Sequence, residues 1–262
     1  MKRTYPLITI ATVTYNAADV LERTFLSVES QAYPRIEHLI VDGASTDNTL
    51  SLVRQYVERN TQPQHLIRIV SEPDKGLYDA MNKVIDLCTG DYLVFLNAGD
   101  KLHADNTIEE LVKSIDWEHR GANPAIVYGE TDLVDGEGRF LRHRRLQAPE
   151  KLTAHSFLNG MLVCHQSFYV RTDLARQVKY NLDYRFSADF DWCIRILQRA
   201  ERRRMRIVNT HLILTDYLKE GLTTQNHRKS LLERFRVMKH HFGSLQAVGA
   251  HVWFVFRSVL KK

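Results

Sequence analysis

The apolar positions of this chain fall in two rhythms that take turns. "LITIATV" at 7–13 is a β-branched run ending at Thr14, Tyr15 and Asn16, and it predicts a strand. The stretch that follows places Val20, Leu21, Phe25 and Val28 at helical spacing. "IEHLIVD" at 36–42 predicts a second strand. "GASTDNT" comes next, where Ser45 or Thr46 is placed to cap a helix carrying Leu50, Val53 and Val57. "LIRIV" at 66–70 predicts a third strand. Over 76–88, Leu77, Ala80, Met81, Val84, Ile85 and Cys88 make one helical stripe, with Tyr78, Asp79, Asn82 and Lys83 on the opposite face. "DYLVFLNAGD" at 91–100 predicts a fourth strand and its exit, followed by a helix near 104–116 and a strand "AIVYG" at 125–129.

Strands that read as unbroken apolar runs, separated by helices and short loops, predict a mostly parallel sheet with helices on both faces. The pattern then changes. "DLVDGEGRFLRHRRL" predicts a hairpin around a Gly-containing turn, and "GMLVCHQSFYVR" at 160–171 a strand. "SADFDWCIRILQRA" predicts a helix with Phe190, Cys193, Ile194 and Leu197 on one face. "MRIVN" and "THLILTDYL" predict two late strands. From about Thr224 the chain reads as helical. With no repeat, low-complexity segment or Pro/Gly/Ser-rich linker, the expected organisation is one α/β domain over 1–223 and a C-terminal helical extension over 224–262.

Composition narrows this picture little. A chain of 262 residues, 44% hydrophobic and 26% charged, is ordinary for a globular protein with a sizeable core. The net charge of +5 points to an anionic partner such as nucleic acid, a phosphorylated small molecule or an anionic membrane surface, although mild basicity is also common without one. Cys88, Cys164 and Cys193 lie far apart in apolar runs, with no C-x-x-C pair. They read as buried free thiols of a reducing compartment rather than a zinc or redox site. "MKRTYPLITIATVTYN" resembles a first strand more than a signal peptide, and no stretch of about 20 apolar residues is present to span a membrane. The expected location is cytoplasmic.

Chemistry concentrates where the strands end. In an open α/β sheet, ligands sit beyond the carboxyl ends of the strands. There the chain places Thr14-Tyr15-Asn16, Asp42, Glu72-Pro73-Asp74-Lys75-Gly76 and Asn97 to Asp100. One aspartate at such a place is most often a turn or cap residue. Acids at three of four strand ends describe a site for a hard cation and a phosphorylated, polyhydroxylated ligand, because one carboxylate suffices when a diphosphate supplies further oxygens. The chain has no G-x-x-x-x-G-K-[ST], no G-x-G-x-x-G after the first strand and no G-x-S-x-G, which argues against P-loop, dinucleotide-binding and nucleophile-elbow chemistry.

"ITIATVTYN", "IEHLIVDGASTDNT", "SEPDKGLYDAMNKVIDLCTGDYLVFLNAGD", "CHQSFYVR" and "DYRFSADFDWCIRIL" together resemble the family 2 glycosyltransferases over residues 7 to about 200, and within them the bacterial enzymes of exopolysaccharide, capsule and lipopolysaccharide assembly. The resemblance implies the glycosyltransferase A-type fold, a Rossmann-like sheet, and transfer of a sugar from a nucleoside diphosphate to an acceptor hydroxyl with inversion. "NAGD" stands where the family has its D-x-D motif. Asp100 is then the ligand of a divalent metal, Mg2+ or Mn2+, while Asn97 and Gly99 replace two aspartates of that motif but stay beside the donor. Asp42 matches the first acid of the family's "DDGS" loop near base and ribose, with Gly43 in the second place. Thr14, Tyr15 and Asn16 match the loop around the base, and Asp74 and Lys75 the loop that lies, with the start of helix 76–88, over the diphosphate; the plainer reading of that helix's polar face is a solvated one with an Asp79–Lys83 pair.

In the same resemblance Asp189 of "SADFDWC" is the general base. His165, Gln166 and Asp191 are acceptor contacts. Each has a plainer reading: Ser187 or Asp189 as a helix N-cap, His165 as a structural histidine. The implied donor is first a UDP-sugar, with GDP- and dTDP-sugars as alternatives. The implied acceptor is a saccharide, free or linked to polyprenyl diphosphate. A sugar nucleotidyltransferase would carry a glycine-rich basic loop that "TYNAADVLERT" lacks. A nucleic-acid module would interleave aromatics with "RFLRHRR" and "ERRRMR", and neither patch does so. Finally, Leu245, Val248, Val252, Trp253, Phe256, Val259 and Leu260 form a stripe at helical spacing with Arg257, Lys261 and Lys262 beside it. That pattern suits either the cytoplasmic surface of the inner membrane or packing on protein.

Overall fold

In the computed structural model, residues 5–60, 65–115, 123–219 and 227–259 are described. Strand β1 (Ile8–Thr14) is followed by helix α1 (Ala18–Glu29), β2 (Ile36–Asp42) by α2 (Thr49–Arg59), and β3 (His65–Ser71) by α3 (Leu77–Leu87). Then come β4 (Tyr92–Phe95), the two-residue β5 (Lys101–Leu102), α4 (Thr107–Lys113), β6 (Ile126–Val134), β7 (Phe140–His143), β8 (Phe168–Arg171), α5 (Thr172–Ala175), α6 (Ala188–Arg202) and β9 (Ile207–Leu218). Two helices, α7 (His227–Phe242) and α8 (Ser244–Val259), end the described chain.

These strands form one sheet in the order β3-β2-β1-β4-β8-β6-β9-β5, with β7 paired to β6. β1, β2, β3, β4, β6 and β9 run one way; β5, β7 and β8 run the other. The sheet is therefore mostly parallel, as the apolar runs predict. Antiparallel β8 lies between β4 and β6, so the parallel half ends at β4 and a cleft opens past its carboxyl end.

Both faces are covered. Alternate residues of β1 serve opposite cores: Ala11 and Val13 pack with α3 and α6, Ile8 and Ile10 with Val28 of α1 and with α4. Leu21, Phe25, Ile40, Val53 and Tyr56 close a third cluster under α1 and α2. Val237 and Met238 of α7 and Ala247 of α8 join the core around α6, so both C-terminal helices dock on the same body. The junction expected at 223/224 lies outside the described residues.

Several elements differ from expectation for identifiable reasons. Residues 160–171 are a strand only from Phe168; the run breaks at Gly160, at φ +102°, and His165–Ser167 form a 3-10 turn. The two late strands are one, β9, whose pairing with β6 shifts register near His211, a left-handed residue at φ +57°. Helix α2 begins at Thr49 behind Asn48, because Ser45 and Thr46 bond elsewhere. Tyr78 and Asn82 of α3 face protein rather than solvent: Asn82 Nδ2 donates to Tyr180 O, and its Oδ1 accepts from Tyr180 N.

Candidate active site

The turn after β4 explains "NAGD". Asp100 N donates to Asn97 O at 3.0 Å, closing a four-residue turn, and Gly99 sits at φ +95° in its third position. A turn with positive φ there calls for glycine. A side chain would also collide, since a Cβ on Gly99 would lie 2.8 Å from Leu218 Cδ2. What Gly99 supplies is thus the turn itself.

That turn delivers Asp100 into the protein. The residue is only 3% exposed. Its Oδ1 accepts from Leu218 N at 2.9 Å, and its Oδ2 from Gln166 Nε2 at 2.9 Å. Burial pushes its carboxyl up to about 6, against the partial relief of those two donors and of the Arg23 charge. A buried carboxylate held by two neutral donors fits a divalent metal. So does its neighbour on the same turn: Asn97 Oδ1 is a buried oxygen without a hydrogen-bond partner among the described residues. Both are hard oxygen donors of the kind Mg2+ and Mn2+ take.

The 3-10 turn His165–Ser167 joins this carboxylate to a second one. While Gln166 holds Asp100, the adjacent His165 places Nδ1 3.3 Å from Asp189 Oδ2. Its Nε2 lies 3.2 Å from Asn97 Nδ2. Asn97 can only donate there, so the network assigns the ring proton to Nδ1, which donates to Asp189. Asp189 Oδ1 accepts from Tyr78 OH at 3.2 Å. Burial raises the Asp189 carboxyl, but the His165 hydrogen bond and the Arg234 charge outweigh it and hold it below the ordinary range, so it stands ionised. Behind it, the Tyr180 ring stacks on Tyr78 (5.5 Å between centroids) and on Trp192 (4.9 Å). Trp192 Nε1 donates to Val178 O at 2.7 Å. This aromatic stack fixes the first turn of α6 against α3.

Asp191 is not brought to this cleft. It is buried, its Oδ2 accepts from Arg195 and its Oδ1 faces His241 Nε2 of α7 at 2.7 Å. It ties α6 to α7, where an acceptor contact was expected. His165 and Gln166 do line the cleft, and both hold carboxylates.

At the ends of β1, β2 and β3 the remaining residues gather. Asp42 is fully buried and its oxygens are taken by Ser45 N, Ser45 Oγ and Ser71 Oγ, so it shapes the loop that follows. Asn16, left-handed at φ +48°, latches the same loop: its Oδ1 accepts from Thr46 N at 2.8 Å, and its own N–H donates to Ser45 Oγ. The Tyr15 ring is 61% exposed. A Cβ on Gly43 would lie 2.4 Å from Asp74 Oδ2 and 3.4 Å from Tyr15 Cδ2, so Asp74 and Tyr15 close over the bare backbone of residue 43. Lys75 is exposed beside them, and Thr14 Oγ1 is buried with no partner among the described residues. The result is a slot walled by an open aromatic ring and a carboxylate, leading toward Asn97 and Asp100.

Sequence reasoning did not find Tyr78, which touches the base candidate directly. Its signal was its place on α3 one turn from Lys75, masked by the solvated reading of that helix face.

A curled, mostly parallel sheet with its polar groups gathered past β1, β2 and β4 is the glycosyltransferase A-type fold, and the comparisons agree. The Staphylococcus aureus TarS 1–349 crystal structure superposes with a TM-score of 0.67 at 14% identity, over 94% of this chain and 72% of that one. The mannosyltransferase PcManGT from Pyrobaculum calidifontis, solved with GDP-Man and Mn2+, superposes with a TM-score of 0.60 at 19% identity, over 94% and 74%. In sequence, a PGL/p-HBAD biosynthesis glycosyltransferase of Mycobacterium bovis (strain BCG / Pasteur 1173P2) is 32% identical over 72% of this chain and 69% of its own length. TuaG of Bacillus subtilis (strain 168), a glycosyltransferase named for teichuronic acid biosynthesis, is 26% identical over 97% and 88%. Residues 9–178 match the family described as "Glycosyl transferase family 2". The chain belongs to that family and is a glycosyltransferase.

Proposed function

We propose that this glycosyltransferase moves a hexose from a nucleoside diphosphate sugar to a hydroxyl of a lipid-linked saccharide, with inversion, in the assembly of a cell-surface polysaccharide. The observation that carries the reading is the single turn His165–Ser167, whose neighbouring side chains hold two carboxylates of opposite character: Asp100, pushed up by burial, and Asp189, held ionised. Environments that drive two carboxylates apart assign them different tasks.

In this reading the nucleotide lies in the slot of Thr14, Tyr15, Asn16 and Asp74, with Lys75 toward the diphosphate. Asp100 and Asn97 Oδ1 would hold Mg2+ or Mn2+, which when bound offsets the charge of the departing diphosphate. Asp189 takes the proton of the acceptor hydroxyl as its oxygen bonds to C1 and the C1–diphosphate bond breaks. One displacement inverts that carbon. His165 and Tyr78 keep the Asp189 oxygens in place throughout, and the aromatic stack keeps water from behind it. Support for the donor class comes from neighbours solved with UDP, UDP-GlcNAc and GDP-Man, with UDP favoured here. Support for the pathway comes from relatives named for teichuronic acid and PGL biosynthesis.

A lipid-linked acceptor brings the enzyme to a membrane surface. No helix of the described residues is long and apolar enough to cross one. Helix α8 instead lays Leu245 (91% exposed), Val248, Val252, Trp253 and Phe256 open along one side while Ala247 packs inward. With the basic residues of the C-terminal sequence, this face suits the anionic inner leaflet. Leu260, Lys261, Lys262 and the side chains of Arg257 and Val259 lie outside the described residues. Flotation with anionic vesicles tests the surface: full-length protein floats, and a Trp253→Ser, Phe256→Ser variant stays below.

The enzymatic reading is tested by calorimetry with UDP, GDP and dTDP, with and without Mn2+, followed by hydrolysis of the corresponding sugar donors. Mn2+-dependent binding of one nucleotide is expected. Binding of none of them overturns the reading.

A further inference from the structure

Beyond the cleft, the geometry points to a second cation site, formed by His103, Asp132 and Asp216 on the other side of the sheet and suited to a borderline divalent ion such as Zn2+. Thr131 and Thr215 mark the cleft side, because Thr131 Oγ1 bonds Ser167 Oγ and Thr215 Oγ1 donates to Gln166 O. Side chains alternate along a strand, so Asp132 and Asp216, one residue further on, project the opposite way. The two aspartates lie in register on the neighbouring parallel strands β6 and β9, and are only 3% and 5% exposed.

Donor atoms converge there. One nitrogen or oxygen from each of His103, Asp132 and Asp216 lies within 4.8 Å of the others. His103 Nδ1 is 2.7 Å from Asp216 Oδ1. His143 stands at the edge, with Nδ1 2.8 Å from Asp132 Oδ1. Lys101 Nζ is 3.0 Å from Asp216 Oδ2, the oxygen turned away from His103, where it orients the carboxylate as an outer-shell donor does. Two buried carboxylates face the Lys101 ammonium, so the pair of acids calls for a further positive charge. A proton on His103 is one way to supply the difference, and a divalent ion is the other.

Imidazole nitrogen with two carboxylates is a zinc-type donor set; Mg2+ prefers an all-oxygen shell. His103, at the protein surface, leaves an entry path from solvent. An ion at this point ties β5 to β6 and β9. It thereby braces the strand whose Leu218 N–H holds Asp100, and it acts on the donor turn without touching the donor.

The experiment is calorimetric titration of ZnCl2 into chelator-stripped full-length protein at pH 7.5 without nucleotide, for the wild type, His103→Ala and Asp100→Asn. The expected result is one equivalent of Zn2+ in the wild type, retained in Asp100→Asn and weakened on the order of a hundredfold in His103→Ala. Co2+ in place of Zn2+ gives an independent readout: the visible absorption of a four-coordinate site, lost in His103→Ala. Because His103 is exposed, its truncation removes no core packing. Absence of zinc binding in the wild type, or equal affinity in His103→Ala, overturns the site. Loss in Asp100→Asn alone places the ion in the cleft and overturns it too. None of these results depends on sugar transfer.

Discussion

Asp100→Asn should make the metal-free protein more stable while removing its metal-dependent function. The carboxyl of Asp100 is pushed up from 3.8 to about 6 by burial. Each tenfold change in proton affinity corresponds to about 1.4 kcal/mol, so keeping this group ionised in the fold costs about 3 kcal/mol at neutral pH. Asparagine is the closest analogue of the protonated acid and does not carry that cost. Its oxygen can still accept from Leu218 N, and a turned Gln166 amide can present Oε1 to the new amide nitrogen. The gain should therefore be about 1–3 kcal/mol, or several degrees in melting temperature for a chain of this size. The pH dependence follows from the raised folded value. Asp100 matches the variant fully below pH 3.8 and falls behind it as pH rises through about 6. The assay is urea unfolding of both proteins with chelator at pH 4 and pH 7.5, with Mn2+-dependent nucleotide binding measured in parallel. A variant less stable than wild type at pH 7.5 would refute the reasoning, since it would mean that the two donors already satisfy the charge.

Asp189→Asn should lower transfer by about a hundredfold or more, the scale of a lost general base, with nucleotide affinity nearly unchanged; a collapse of nucleotide binding would assign Asp189 to the donor. His38 is fully buried between Thr12 Oγ1 and Tyr56 OH, and burial pushes it down to about 3. Stability should thus be intact above pH 6.5 and fall by about 1.4 kcal/mol for each pH unit below it, until about pH 3. Urea midpoints at pH 6.5 and 5 measure that slope, and an equal slope in His38→Gln would remove His38 as its cause.

The parts of this molecule legible in its sequence are those that local pattern controls. Runs such as "IEHLIVD" carry their own evidence of double burial, and the strand-end position of Asp100 and the helix-opening position of Asp189 follow from them. "NAGD" also carried its turn in plain view, because glycine in the third place of such a turn has a conformational reason. Asp191 was partly legible: residues two apart lie about 200° around a helix, so Asp189 and Asp191 cannot both face one cleft. Illegible was the turn at His165–Ser167. The side chains of His165 and Gln166 bond Asn97, Asp100 and Asp189, none of them local, and a short apolar run with "CHQ" inside it reads as strand. The side on which Tyr78 lies was hidden for the same reason: Tyr180 and Trp192, which cover it, come about a hundred residues later.

The bond from Leu218 N to Asp100 Oδ1 spans 118 residues, and this has a consequence for the chain as it is made. Synthesis runs from the N-terminus, and β1 to β4 can pair before the rest emerges. During that interval Asp100 has neither the Gln166 donor nor the Leu218 donor, and it stays in water as an ordinary acid. Only when β9 threads in beside β6 does the carboxylate pass out of solvent and take on its altered proton affinity. A nascent chain arrested before residue 218 should therefore hold a nearly complete parallel half-sheet and no competent donor site, so that the enzyme stays inactive on the ribosome until almost all of it has been translated.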